Sequence, residues 1–132
     1  MRAVKSIRLK DYDYSSDGFY FITICTNYRK PYLTGRSKEI VAQSIEQLPR
    51  KIRGVRADYY QIMPSHIHVI LILEECQLGL SEIVRRLKAI TSKRVGFRIW
   101  QPNYYEHVIR GDKALANIRE YVQNNPLAER LL

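Results

Sequence analysis

Hydrophobic and polar positions along the chain alternate between two periods, one suited to strands and one to helices. Residues Phe19 to Thr26 (FYFITICT) are β-branched or aromatic, and turn-forming residues follow from Asn27 to Pro31, which predicts a first strand. Ser37 is placed to cap a helix running to about Leu48, where Pro49 denies further helical hydrogen bonding. Val55 to Met63 and Ser65 to Leu73 predict a second and a third strand, joined at Pro64 in a tight connection and therefore a hairpin. Within the third strand Ile67, Val69, Leu71 and Leu73 share one face, and Ile70 and Ile72 share the other with His66 and His68. A strand apolar on both faces belongs at the centre of a sheet covered on both sides.

Downstream, Ser81 is read as the cap of a helix to about Val95, with Ile83, Leu87 and Ile90 as its apolar stripe. Arg85, Arg86, Lys88, Lys93 and Arg94 ring the rest of that helix. Tyr104 to Ile109 predicts a fourth strand, and Asp112 caps a last helix that ends before Pro126 and turns Leu115, Ile118 and Val122 to the core. The order strand, helix, hairpin, helix, strand, helix predicts an α+β chain, a ferredoxin-like (RRM-like) sandwich with an antiparallel sheet and helices on one face. No repeat, low-complexity tract or linker divides the sequence, so residues 1–132 are expected to form a single domain.

Composition narrows the function classes. Hydrophobic residues at 45% and charged residues at 27% match a folded globular chain and exclude a disordered one. No apolar run approaches the ~20 residues of a membrane helix, and no signal-peptide core opens the chain, so the cytoplasm is the expected location. Cys25 and Cys76 stand far apart with no CxxC, the pattern of two free thiols in a reducing compartment rather than of a zinc finger. The net charge of +9 on so small a domain points to a polyanion, with nucleic acid as the first expectation and the basic helix as the candidate phosphate contact.

Two constellations carry chemistry. His66 and His68, at i and i+2 on a strand, project to one face roughly 6.5 to 7 Å apart, and two imidazoles so placed can converge on one divalent ion. The same spacing also fits two satisfied histidines on a half-buried strand. Two of the three histidines in the chain lie here, inside an aliphatic run where polar groups are costly without partners. Barrel hydrolases and cupin-like barrels that use this motif need a longer chain or an almost all-strand pattern. Tyr121 and Asn125, at i and i+4 on the last helix, share a face; alone they read better as a tyrosine at the edge of the core face and a polar helix end before Pro126. His107 on the fourth strand is a minor candidate for approach to the histidine pair, and Glu106 and Asp58 are weaker candidates as carboxylate helpers.

Several segments together resemble one family. Tyr60 to Ile70 (YQIMPSHIHVI), Trp100 to Arg110 (WQPNYYEHVIR) and Arg119 to Pro126 (REYVQNNP) are similar to the REP-associated tyrosine transposases, within the His-hydrophobe-His (HUH) nuclease superfamily. Ser6 to Tyr14 and Gly18 to Thr26 extend the resemblance over nearly the whole chain. It implies that His66 and His68 hold Mg²⁺ or Mn²⁺, and that Tyr121, on a mobile C-terminal helix, is the nucleophile. Asn125 stands where related insertion-sequence transposases place a Gln as third ligand, an amide on a shorter arm. The activity implied is cleavage and rejoining of single-stranded hairpin DNA through a 5′-phosphotyrosine, in the nucleoid, by a homodimer that can exchange its tyrosine helices. DNA contacts are expected from Arg85, Arg86, Lys88, Lys93 and Arg94, and from an N-terminal arm bearing Arg2, Lys5, Arg8 and Lys10. Two alternatives stay open: a non-catalytic binder stacking bases on Tyr20, Phe21, Tyr59 and Tyr60 of an RRM-like sheet, and a transposase retired to host use.

Overall fold

The computed structural model describes residues 17–124. Four strands form one sheet: β1 (Gly18–Cys25), β2 (Val55–Met63), β3 (His66–Leu73) and β4 (Tyr105–Ile109). Their order across the sheet is β2-β3-β1-β4, and every neighbouring pair is antiparallel. Helices α1 (Gly35–Glu46), α2 (Leu48–Lys51), α3 (Leu80–Val95) and α4 (Asp112–Gln123) are the α-helices among the described residues. This is the expected ferredoxin-like arrangement, with β1 and β3 at the centre.

Strand β3 is buried at every position, as its two apolar faces require. Ile67, Val69, Leu71 and Leu73 enter the main core, where they meet Tyr20, Ile22 and Ile24 of β1, Val41 and Ile45 of α1, and Ile83, Val84 and Leu87 of α3. Each such side chain contributes about 1.5–3 kcal/mol on burial, which makes this layer the principal source of stability. Ile70 points the other way, into a second cluster with Ile109 of β4 and Val122 of α4, flanked by Phe19, Phe21, Leu115 and Ile118. Helix α4 therefore covers the opposite face of the sheet from α1 and α3, the face that carries the histidines.

The element ends depart from the sequence expectations in a consistent way. Thr34, not Ser37, occupies the N-cap of α1; Gly79, not Ser81, that of α3; and Gly111, not Asp112, that of α4. In each case the polar residue lies inside the first turn, past the capping position. Ser81 places its hydroxyl 3.0 Å from that of Tyr104 instead, while Asp112 sets its negative charge against the positive end of α4. Pro49 starts a helix rather than merely stopping one: α1 closes at Glu46, and the proline falls in the first turn of α2, where a missing N–H costs nothing. Thr26 lies beyond β1 and forms an isolated bridge with Trp100.

Gly54, between α2 and β2, has φ +93, and a Cβ there would lie 2.7 Å from the carbonyl oxygen of Glu74 and 2.8 Å from Cα of Cys76. Both objections are backbone atoms that no side-chain rotation relieves. Gly54→Ala is expected to lower stability by about 2 kcal/mol or more, read as a shift in the denaturant midpoint at unchanged slope.

Candidate active site

The register fixes what surrounds the histidines. Across β1, His66 pairs with Cys25 and His68 with Thr23; across β2, they pair with Met63 and Gln61. Both imidazoles are essentially inaccessible to solvent, at 1% and 0% exposure, and their ring centroids lie 4.9 Å apart at 72°. Thr23 Oγ1 is 2.8 Å from Nδ1 of His68, and Ser65 Oγ is 3.4 Å from Nδ1 of His66. With Nδ1 engaged, the buried Nε2 atom of each ring is the one placed to act as a ligand, and the hydroxyl partners fix ring orientation. Burial, helped by the nearby charge of Arg29, lowers the pKa of His66 to about 4. The ring is thus neutral at neutral pH, the form in which an imidazole can act as a ligand.

Tyr121 comes to the same place from α4. Its ring centroid is 5.5 Å from that of His68 in the same chain. Phe21 stacks on His68 at 5.3 Å and meets Tyr121 edge-on at 6.0 Å, so the three rings form one cluster. Burial raises the Tyr121 pKa above the usual phenol value. The hydroxyl is therefore protonated at neutral pH and must lose its proton to act as a nucleophile. Among the described residues no third His, Cys, Asp or Glu joins the pair. Asn125, expected to complete the set, lies outside the described residues, as do Arg8 and Lys10.

Two features anchor α4 over the histidines. Val122 is fully buried against Ile70 and Ile109, and Arg119 donates two hydrogen bonds of 2.7 Å to the carboxylate of Asp58. Asp58 lies at a register shift between Ala57 and Tyr59 in β2, a bulge that breaks the alternation and re-aims its side chain. Its part is thus to tether the tyrosine helix, not to assist the histidines. Asp58→Ala is expected to speed amide hydrogen exchange over residues 112–123 several-fold while β3 stays protected, since a part-exposed ion pair adds only modestly to what packing supplies. Unchanged exchange in α4 would mean that packing alone holds it.

The other expected site residues fall elsewhere. Helix α3 packs on the far face of the sheet, so its cations are not brought to the histidines and Tyr121. Arg85 and Arg86 both pair with Glu82, at 2.6 and 2.9 Å. Lys88 donates to the carbonyls of Gln101 and Asn103, and burial, with Arg98 adding repulsion, lowers its pKa to about 8. Arg94 bonds Gln43 and Ser44, tying α3 to α1, and Lys93 is exposed. His107 does share the histidine face, exposed on β4 opposite Phe21. Glu106 is buried, and its pairing with Ile22 starts it on the main-core side. The aromatic residues of the base-stacking alternative do not make one platform: Tyr20 is buried in the main core, Tyr60 bonds Glu46 on the α1 side, Phe21 is half-buried beside α4, and Tyr59 alone of the four is exposed.

Two neighbours of the pair go beyond the sequence expectations. Thr23 is legible in principle, as a polar residue on the face of β1 away from Ile22 and Ile24. Arg29 is not. It ends a short 3₁₀ turn, Asn27–Arg29, in which both it and Tyr28 have φ +55, and its guanidinium reaches Cys25 Sγ at 3.8 Å, beside His66. Only the strand register reveals that proximity. A cleft of about 660 Å³ bordered by Lys51, Arg53, Glu75 and Arg86 lies remote from the histidines, and the chemistry, not a cavity's size, locates the site.

The chain has relatives among known proteins. The chain is 38% identical over 158 residues to an uncharacterised protein of Haemophilus influenzae, covering 93% of this chain and 88% of that one. It is 27% identical over 115 residues to the REP-associated tyrosine transposase of Escherichia coli K12, covering 86% of this chain and 69% of that one. Among solved structures it resembles a REP-associated tyrosine transposase bound to a REP hairpin, with a TM-score of 0.78 and 26% identity over 93% of this chain and 74% of that one. Among the described residues no helix is long and apolar enough to cross a membrane. Residues 15–125 match the family described as Transposase IS200 like, and the chain belongs to that family of transposases, as its motif segments lead one to expect.

Proposed function

We propose that this transposase cuts and rejoins single-stranded hairpin DNA through a covalent bond between Tyr121 and a 5′-phosphate, with Mg²⁺ or Mn²⁺ held by His66, His68 and Asn125. The observation that carries the reading is the placement of the Tyr121 ring beside His68 within one chain. The residues suit such an ion: two buried imidazoles oriented through Nδ1 would hold it, and the amide of Asn125 would add an oxygen donor. Held there, such an ion would offset the negative charge of the phosphate under attack.

The phenol oxygen of Tyr121 bonds to phosphorus as the bond to the 3′-oxygen breaks. The phenol's proton leaves to solvent, and the departing 3′-oxygen ends as a hydroxyl with a proton taken back. Because the phosphodiester is conserved, a 3′-hydroxyl from the same or another strand can reverse the step with no other energy source. The approach of Tyr121 to His68 within one chain supports a site completed by a single copy rather than by an exchanged helix. A hairpin as ligand is supported by the solved relative, which is bound to one. Arg85, Arg86 and Lys93 face solvent on α3 and suit contacts to phosphates of the stem away from the cut; Lys88 and Arg94 serve mainly to brace the helix.

The test uses hairpin oligonucleotides labelled at either end, with and without Mn²⁺ or Mg²⁺. The expected products are a protein-linked 5′ end and a free 3′-hydroxyl strand, both metal-dependent, and joining of the bound end to an added 3′-hydroxyl oligonucleotide. Binding with no cleavage across a hairpin panel would favour a non-catalytic DNA binder, and a free 5′-phosphate with no adduct would indicate a hydrolytic nuclease.

A further inference from the structure

Beside the Tyr121 ring, between β4 and α4, lies an open cleft of about 430 Å³. Phe21, Tyr105 and Ile118 line it, with Tyr121 forming part of its wall; His107 and Asn117 contribute exposed polar groups, and the buried Thr23 and Glu106 border it as well. His107 and Asn117 are both solvent-exposed, while Phe21, Tyr105 and Ile118 are half-buried. The cleft is not consumed by the proposed strand-cleavage chemistry. Its volume is near the lower end of the ~300–1,000 Å³ typical of small-ligand sites, which suits one nucleobase and not a base pair in its duplex.

We infer that this cleft takes a single unpaired DNA base, that of the nucleotide whose 5′-phosphate becomes joined to Tyr121, and that Asn117 and His107 discriminate among bases there. The inference rests on the proposed cleavage reaction for its orientation. Continuity carries it: a nucleotide bonded through its phosphate to the Tyr121 oxygen is held against the wall of this cleft, and its base is the group within reach. The aromatic lining supplies the surface on which any base stacks, a contribution indifferent to sequence. Asn117 brings one acceptor and two donors, and His107 one donor and one acceptor when neutral, the groups that distinguish base edges. A single-stranded or hairpin-flanking nucleotide enters without the cost of breaking a pair.

Two measurements decide it, and they fail separately from the proposed function. In the first, hairpins with randomised flanks are incubated with Mn²⁺ and the covalently captured strands are sequenced. The wild-type protein is expected to prefer one base at the position joined to protein by about tenfold or more, and Asn117→Ala and His107→Ala to flatten that preference at that position alone. A preference unchanged in both variants, or weakened equally at every position, overturns the inference. In the second, Tyr121→Phe protein is mixed with hairpins carrying 2-aminopurine at each flanking position in turn, a fluorophore quenched by stacking. Quenching at one flanking position, abolished when Asn117→Tyr fills the cleft but hairpin affinity is retained, supports the inference even if no adduct forms. Equal quenching with and without Asn117→Tyr, or none at any flanking position, overturns it; absence of an adduct from wild type counts against the cleavage reaction instead.

Discussion

Tyr121→Phe is expected to bind hairpin DNA as tightly as the wild-type protein and to form covalent adduct more slowly by about a thousandfold or more. The substitution removes one oxygen and keeps the ring, so the edge contact with Phe21, the approach to His68 and the packing of α4 all persist. Folding is preserved, and the change is confined to chemistry. A denaturing gel reports the adduct and filter binding reports affinity. An adduct of wild-type intensity in the variant would assign the nucleophile to another of the ten tyrosines in the chain.

The histidine pair should respond to substitution in graded steps. His68→Ala removes a ligand and is expected to lower metal-dependent cleavage by about a hundredfold or more. Thr23→Val, which keeps side-chain volume and deletes only the hydroxyl beside Nδ1, is expected to cost about tenfold, mainly as a higher Mn²⁺ requirement. The second effect depends on the 2.8 Å contact between Thr23 Oγ1 and His68. His68 is fully buried beneath Phe21, so its loss also leaves a cavity, and the unfolding midpoint must be measured alongside. Thr23→Val guards against that ambiguity: a fold-neutral loss restored by excess Mn²⁺ identifies ring orientation as the cause. Full activity of both variants at limiting Mn²⁺ would remove the histidines from the reaction.

Much of this architecture is legible in the sequence because burial has a period. The two-fold alternation of β3 separates Ile67, Val69, Leu71 and Leu73 from Ile70 and the histidines, and the structure divides them the same way. Helix ends are less legible, since Ser37, Ser81 and Asp112 carry cap chemistry but sit a residue or more inside their helices. The basic residues of α3 illustrate a different limit: a count of charges does not reveal partners. Glu82, three and four positions before Arg85 and Arg86, is the local exception that helical spacing exposes. The partners of Lys88 and Arg94 come from distant segments. Asp58 is the sharpest case, because the bulge that turns it toward Arg119 leaves no trace in the pattern of β2. Tyr121 itself reads as an ordinary helix-edge residue until α4 is laid across the histidine face.

The most direct test of the central claim is to digest the protein after reaction with hairpin DNA and Mn²⁺, and to locate the nucleotide by peptide mass spectrometry. The mass of a phosphodiester-linked nucleotide on Tyr121, absent when the metal is chelated, is the predicted result. An adduct on any other side chain, or one that forms equally well in chelator, would contradict it.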